Sequence, residues 1–125
     1  MTLYVDDVSH RFGRMIMCHM WATTVNELHD HAAFLGLRRV WFQQPPKASW
    51  EHYDVSLTVK RRALVERNAA LTDKYEPLAH TSRLLIASGD PVKVTRGEKT
   101  LARIAQCRTM FKLPVDGILG QGVLL

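Results

Sequence analysis

Both ends of one helix are written into the residues between Thr24 and Leu37, and that element limits every arrangement of the rest. Thr24-x-x-Glu27 is a capping box, in which the hydroxyl takes an N–H that the first helical turn leaves unpaired. Val25, Leu28, Ala32 and Leu35 recur at helical spacing and form one apolar stripe. Gly36 supplies the left-handed residue that ends a helix, with Leu37 placed to cover the last turn. Such a stripe must bury itself against another element. Leu3-Tyr4-Val5 reads as a short strand, and Ser9-His10-Arg11-Phe12-Gly13 reads as a polar turn. Arg14 to Trp21 reads as a second extended segment, although its run of methionines also admits a helix. After the helix, Arg38-Arg39-Val40-Trp41-Phe42-Gln43 has the branched and aromatic residues of a strand.

Pro45-Pro46 ends that strand and opens a loop to about Asp54. A second helix is expected from about Ser56 to Asn68, with Asn68 as its cap, and a third from Tyr75 to Ser88. Gly89-Asp90-Pro91 then turns the chain into a short strand, Val92-Lys93-Val94-Thr95. Gly97 to Lys112 follows as an amphipathic helix, and the tail from Pro114 is loop-like. Helices alternating with strands predict a small α/β protein with a short sheet. At 125 residues it is expected to be one domain, a core over 1–75 with an extension over 76–125 packed on it. In parallel α/β sheets, ligands bind beyond the carboxyl ends of the strands. Were the Leu3 and Trp41 strands parallel neighbours, Asp6-Asp7 and the loop with Lys47, His52 and Asp54 would share one edge.

Composition narrows the function classes. Hydrophobic residues at 46% and charged residues at 23% are those of a soluble globular protein. The longest apolar runs, such as Leu84-Leu85-Ile86-Ala87, are too short to span a bilayer, so no membrane role is expected. The first residues meet Asp6-Asp7 at once and lack a basic start, which points to a cytoplasmic protein. Cys18 and Cys107 are too few for a disulfide framework. The net charge of +5 lies entirely in residues 61–125, so nucleic acid or an acidic protein is one class of partner. The oligomeric state is left open, since the tail from Ile118-Leu119 to Leu125 suits a dimer contact and a completed core equally.

Two imidazoles and two carboxylates, Asp6, His19, His52 and Asp54, form the candidate catalytic set. They fit a general acid and base, or the ligands of a divalent metal whose bound water ionises near neutral pH. The spacing alone selects neither, and His52 and Asp54 point the same way only if their backbone is extended. The competing reading is structural: Asp54 or Ser56 caps the second helix while His52 and Tyr53 pack beside it. Arg14, Lys47, Tyr53 and Arg62 are the candidate ligand-binding residues, because arginine forks and a helix N-terminus suit phosphate. His29-Asp30-His31 reads as surface, since its imidazoles lie about 200° apart on a helix.

The ordered motifs Tyr4-Val5-Asp6-Asp7, Gly13-Arg14, Cys18-His19-Met20, Glu27-Leu28, Leu35-Gly36, Trp41-Phe42-Gln43, His52-Tyr53-Asp54 and Arg61-Arg62 resemble a small family found in bacteria and their phages. That family is known only as a domain of unknown function. The resemblance covers about residues 2–75 and implies a compact domain of bacterial or phage source, with no activity, substrate or cofactor. The family's positions coincide with Asp6, Gly13, Arg14, His19, His52, Tyr53, Asp54 and Arg62. Three functions fit these residues. One is a hydrolase for a phosphate-bearing or nucleotide-like ligand. The second is a protein that sequesters such a ligand, and the third is a basic adaptor.

Overall fold

The computed structural model describes residues 2–117, with their side chains through residue 110. Strands β1 (Leu3–Asp6), β2 (His10–Phe12) and β3 (Met15–Ala22) lead into helix α1 (Val25–Phe34) and a 3-10 turn at Arg39–Trp41. Strand β4 (Tyr53–Ser56), helix α2 (Leu57–Glu66), strand β5 (Ala70–Thr72) and helices α3 (Glu76–Ala87) and α4 (Pro91–Gly117) follow. Among the described residues, four helices and a five-stranded mixed sheet make this the expected α/β protein. The chain divides into two compact units, Met1–Pro77 with the whole sheet and Leu78–Leu125 with most of α3 and α4. No helix among the described residues is long and apolar enough to cross a membrane.

Strand β3 organises the first unit. Met17 pairs with both His10 and Ser56, and Met20 pairs with both Val5 and Tyr53. A strand has two edges, so β1 and β2 share one edge of β3 and β4 occupies the other. Between β1 and β2 the register slips by two residues, which pushes Asp7-Val8-Ser9 out of the ladder as a bulge. Strand β5 runs parallel to β1 on its outer edge. Leu3, Val5, Cys18, Met20, Tyr53 and Val55 fill one face with Leu28, Ala32 and Leu35 of the α1 segment and Ala63 of α2. Because side chains alternate along a strand, Asp6, His19 and Asp54 belong to the other face.

The helix signals hold. Thr24 accepts from the Glu27 N–H, and Gly36 takes φ 81° while Leu37 N–H reaches Ala32 O at 2.9 Å. Ser56 accepts from the Val59 N–H at the start of α2, and Asn68 takes φ 55° after its end.

Five local expectations fail. The polar segment at His10–Phe12 is a strand, closed onto β3 by a two-residue turn with Gly13 at φ 62°. Residues 38–43 form no strand; Val40 and Trp41 stay exposed and only Gln43 bridges to His52. Strand propensity expresses packing on a half-buried pleat, and no such surface meets them. The loop expected to run to about Asp54 stops short of it, because β4 begins at Tyr53 and runs to Ser56. Val92–Thr95 is the first turn of α4, opened by Val94 N–H to Asp90 O at 2.8 Å, with Pro91 at the position where a missing N–H costs least. The chain from Pro114 is helical to Gly117, and the rest of the expected tail lies outside the described residues.

Gly97 lies inside α4, where the sequence suggested a helix start. A Cβ there would meet the Ser82 carbonyl oxygen at 2.6 Å and Ile86 Cγ1 at 2.9 Å. Backbone must move to make room, so Gly97→Ala is expected to destabilise by about 1–3 kcal/mol despite its better helix propensity. Urea denaturation of the two proteins measures this, and a stabilised variant would show that α3 and α4 part easily.

Candidate functional site

The register of β3 assembles the site. His19 lies opposite Asp54 of β4, and the register of β1 sets Asp6 beside His19 on the other edge. His10 is paired with Met17, two residues from His19 on the same face. His52 precedes β4 in extended conformation, held by reciprocal backbone bonds with Gln43 at 2.9 and 3.0 Å. His52 and Asp54 therefore point to one side, which is the condition their spacing required.

Three imidazole nitrogens surround one carboxylate oxygen. Asp54 Oδ1 is 3.5 Å from His52 Nε2, 3.8 Å from His10 Nε2 and 3.9 Å from His19 Nε2. These are ion-pair separations, too long for good hydrogen bonds. Asp54 Oδ1 and His10 Nε2 are buried atoms with no hydrogen-bond partner among the described residues. Asp54 Oδ2 is anchored by the Gln43 side-chain amide at 2.6 Å. His10, His19 and Asp54 each offer a ligand atom within 4.8 Å of the other two.

The outer nitrogens fix the tautomers. His19 Nδ1 lies 2.7 Å from Asp6 Oδ2, while Asp6 Oδ1 accepts the His19 backbone N–H at 3.0 Å. A carboxylate only accepts, so Nδ1 carries a hydrogen, and in the neutral imidazole Nε2 presents its lone pair to the cluster. His52 Nδ1 donates to the Trp50 carbonyl at 3.0 Å, which orients its Nε2 in the same sense. Asp6 is fully buried, at 0% exposure. Trp50 stacks on His52 at 4.3 Å and meets Trp21 edge-on, which walls one side of the cluster.

Charge shifts follow from these contacts. Burial alone would lower the His19 pKa, but the Asp6 hydrogen bond and the Asp6 and Asp54 charges raise it above its ordinary value. Burial alone would raise the Asp54 pKa; the neighbouring His52 and the Gln43 amide outweigh it and hold the carboxyl below its usual range. On the opposite face, burial first and then the Asp6 and Asp54 charges push the Cys18 thiol up to about 12, against Lys60. That thiol is inert at neutral pH.

Asp6, His19, His52 and Asp54 thus converge, with 5.3 Å between the rings of His19 and His52. They meet on a face of antiparallel strands, because β1 and β3 run antiparallel, and not at the carboxyl edge of a parallel sheet. The ligand-binding candidates are not brought to them as a group. Tyr53 faces the core at 1% exposure, its hydroxyl 2.9 Å from His29 Nδ1. Arg62 is engaged with Glu66 and with the Leu35 carbonyl. Arg14 lies in the exposed β2–β3 turn, and Lys47 in an exposed turn after Pro45-Pro46. His29 and His31 are half-buried and not surface residues: His29 packs on Phe42, and His31 Nδ1 accepts from Arg67 Nε at 3.0 Å. His10 is the member that the sequence reading missed. Pairing Phe12 with Met15 across Gly13-Arg14 was the signal, since it carries His10 onto the His19 face.

A model of the family described as protein of unknown function DUF4031 matches residues 3–84, and the chain belongs to that family. The match extends beyond the expected limit near residue 75 into α3. No curated protein and no solved structure matches the chain.

Proposed function

For this member of a family without an assigned activity, we propose a metal-dependent hydrolase built on His10 Nε2, His19 Nε2 and Asp54 Oδ1, with His52 as the proton acceptor. The observation that carries it is the pair of buried atoms without hydrogen-bond partners, Asp54 Oδ1 and His10 Nε2, 3.8 Å apart. Leaving such atoms unpaired costs about 1–3 kcal/mol each, which a cation bound between them would offset. A tetrahedral ion with bonds of about 2.0–2.1 Å spaces its ligand atoms by roughly 3.3 Å. Small side-chain shifts bring the present spacings to that value. The Asp6–His19 contact is the outer partner that a metal-bound imidazole uses to fix its tautomer, and the Trp50 carbonyl fixes that of His52, the proton acceptor, in the same way.

Two nitrogens and one oxygen suit zinc, iron or manganese and leave coordination positions for water and substrate. A cation there lowers the pKa of bound water towards neutrality. His52 Nε2, 3.5 Å from Asp54 Oδ1, is within reach of a water held beside that oxygen. Equilibrium dialysis against zinc is expected to give one ion per chain. His10→Ala, His19→Ala and Asp54→Ala should each abolish binding, whereas His29→Ala should retain it. Wild-type protein that leaves dialysis without metal sinks the proposal.

A further inference from the structure

We infer that the substrate of this centre is a neutral carboxylic ester or amide with an apolar acyl group, and not a phosphate compound. The inference rests on the metal-dependent reading of the His10–His19–Asp54 cluster. Next to that cluster lies a cavity of about 590 Å³, within the range that holds small-molecule ligands. Asp54 and Gln43 line it, and the Gln43 amide anchors the carboxylate that faces the three imidazoles. The pocket and the cluster therefore share one side chain.

Apart from Ser56, whose hydroxyl caps α2, the rest of the wall is apolar, with Met17, Leu35, Leu37, Trp41 and Val59. None of its lining residues is a lysine or an arginine. A phosphate carries charge that calls for such donors, and here it would face the Asp54 carboxylate instead. At the mouth, Phe12, Met15 and Trp41 remain 72%, 48% and 49% exposed. Exposed apolar residues gathered round a cavity mark a site that an apolar group covers. Placed there, an acyl chain would leave its carbonyl beside Asp54, whose Oδ1 lies 3.5 Å from His52 Nε2.

The reaction is a hydrolysis that balances without a further reagent. Water gives its oxygen to the carbonyl carbon and one proton to His52 Nε2. The bond from that carbon to the leaving oxygen or nitrogen breaks, and His52 returns the proton to the leaving atom. The products are a carboxylic acid and an alcohol or amine.

Alkyl hydroxamates carry a metal-seeking head on a chain of chosen length. Titrated into the zinc-loaded protein and followed by tryptophan fluorescence, octanohydroxamate should bind at least about hundredfold tighter than acetohydroxamate, since each buried methylene is worth roughly fourfold. Val59→Trp, which fills the cavity, should cut that ratio to a few-fold while the zinc content stays at the wild-type value. Bound zinc with equal affinity for both chains overturns this assignment alone, as does tighter binding of phenyl phosphate than of octanohydroxamate. Absence of bound zinc overturns the metal centre, and this assignment with it.

Discussion

Asp6→Asn is expected to weaken zinc binding by about ten- to hundredfold while the protein stays folded. Asparagine keeps an oxygen for the His19 backbone N–H, which Asp6 Oδ1 now accepts at 3.0 Å. Its second atom becomes an N–H₂, which donates where Asp6 Oδ2 accepted from His19 Nδ1 at 2.7 Å. His19 must then hold a lone pair on Nδ1 and a hydrogen on Nε2. The nitrogen aimed at Asp54 Oδ1 is thereby blocked, with no ligand atom removed. Asp6→Ala is the harsher change, because it also leaves the His19 N–H without its acceptor and should cost about 1–3 kcal/mol of stability. Competition with a chromophoric chelator gives the affinity, and thermal unfolding gives the stability. Wild-type zinc affinity in Asp6→Asn would show that the carboxylate does not set the tautomer.

The residue types of the site were legible in the sequence, but their arrangement was legible only in part. Thr24, Glu27 and Gly36 carry local chemistry that no tertiary contact overrides, so α1 could be read from its two ends. His52 and Asp54 presented two residues of opposite possible meaning, a loop or a strand. What decides between them is the ladder from Met17–Met20 to Tyr53–Ser56, a pairing across more than thirty positions that no local pattern encodes. The same non-local term hid His10. A polar triplet before Gly13 resembles a turn until β3 supplies its partner. Residues 38–43 erred in the reverse direction, with strand-forming side chains and no neighbouring edge beyond Gln43 to use them. The bulge at Asp7-Val8-Ser9 matters most, because without the two-residue slip Asp6 and His10 would not both lie beside His19.

Adjacent residues on β4 should therefore respond in opposite ways, as Asp54→Ala and Tyr53→Phe test. Asp54 faces the imidazoles and Tyr53 faces the core, so a strand one residue out of register would exchange their roles. A ligand that binds only the folded state at a thousand times its Kd stabilises that state by about 4 kcal/mol. The wild type should show an upward shift in Tm of that origin when zinc is added. In Asp54→Ala the shift should vanish, because the oxygen central to all three Nε2 atoms is gone. Its metal-free stability should fall as well at neutral pH, since the Gln43 amide bond and the His52 pairing that hold the carboxyl below its usual range are both lost. Tyr53→Phe removes the hydroxyl that meets His29 Nδ1 and should lower the metal-free stability by about 1 kcal/mol. The zinc-induced shift should survive intact in that variant. Equal shifts in Asp54→Ala and wild type would place the metal elsewhere. A lost shift in Tyr53→Phe would mean that the two faces of the sheet are not energetically separate.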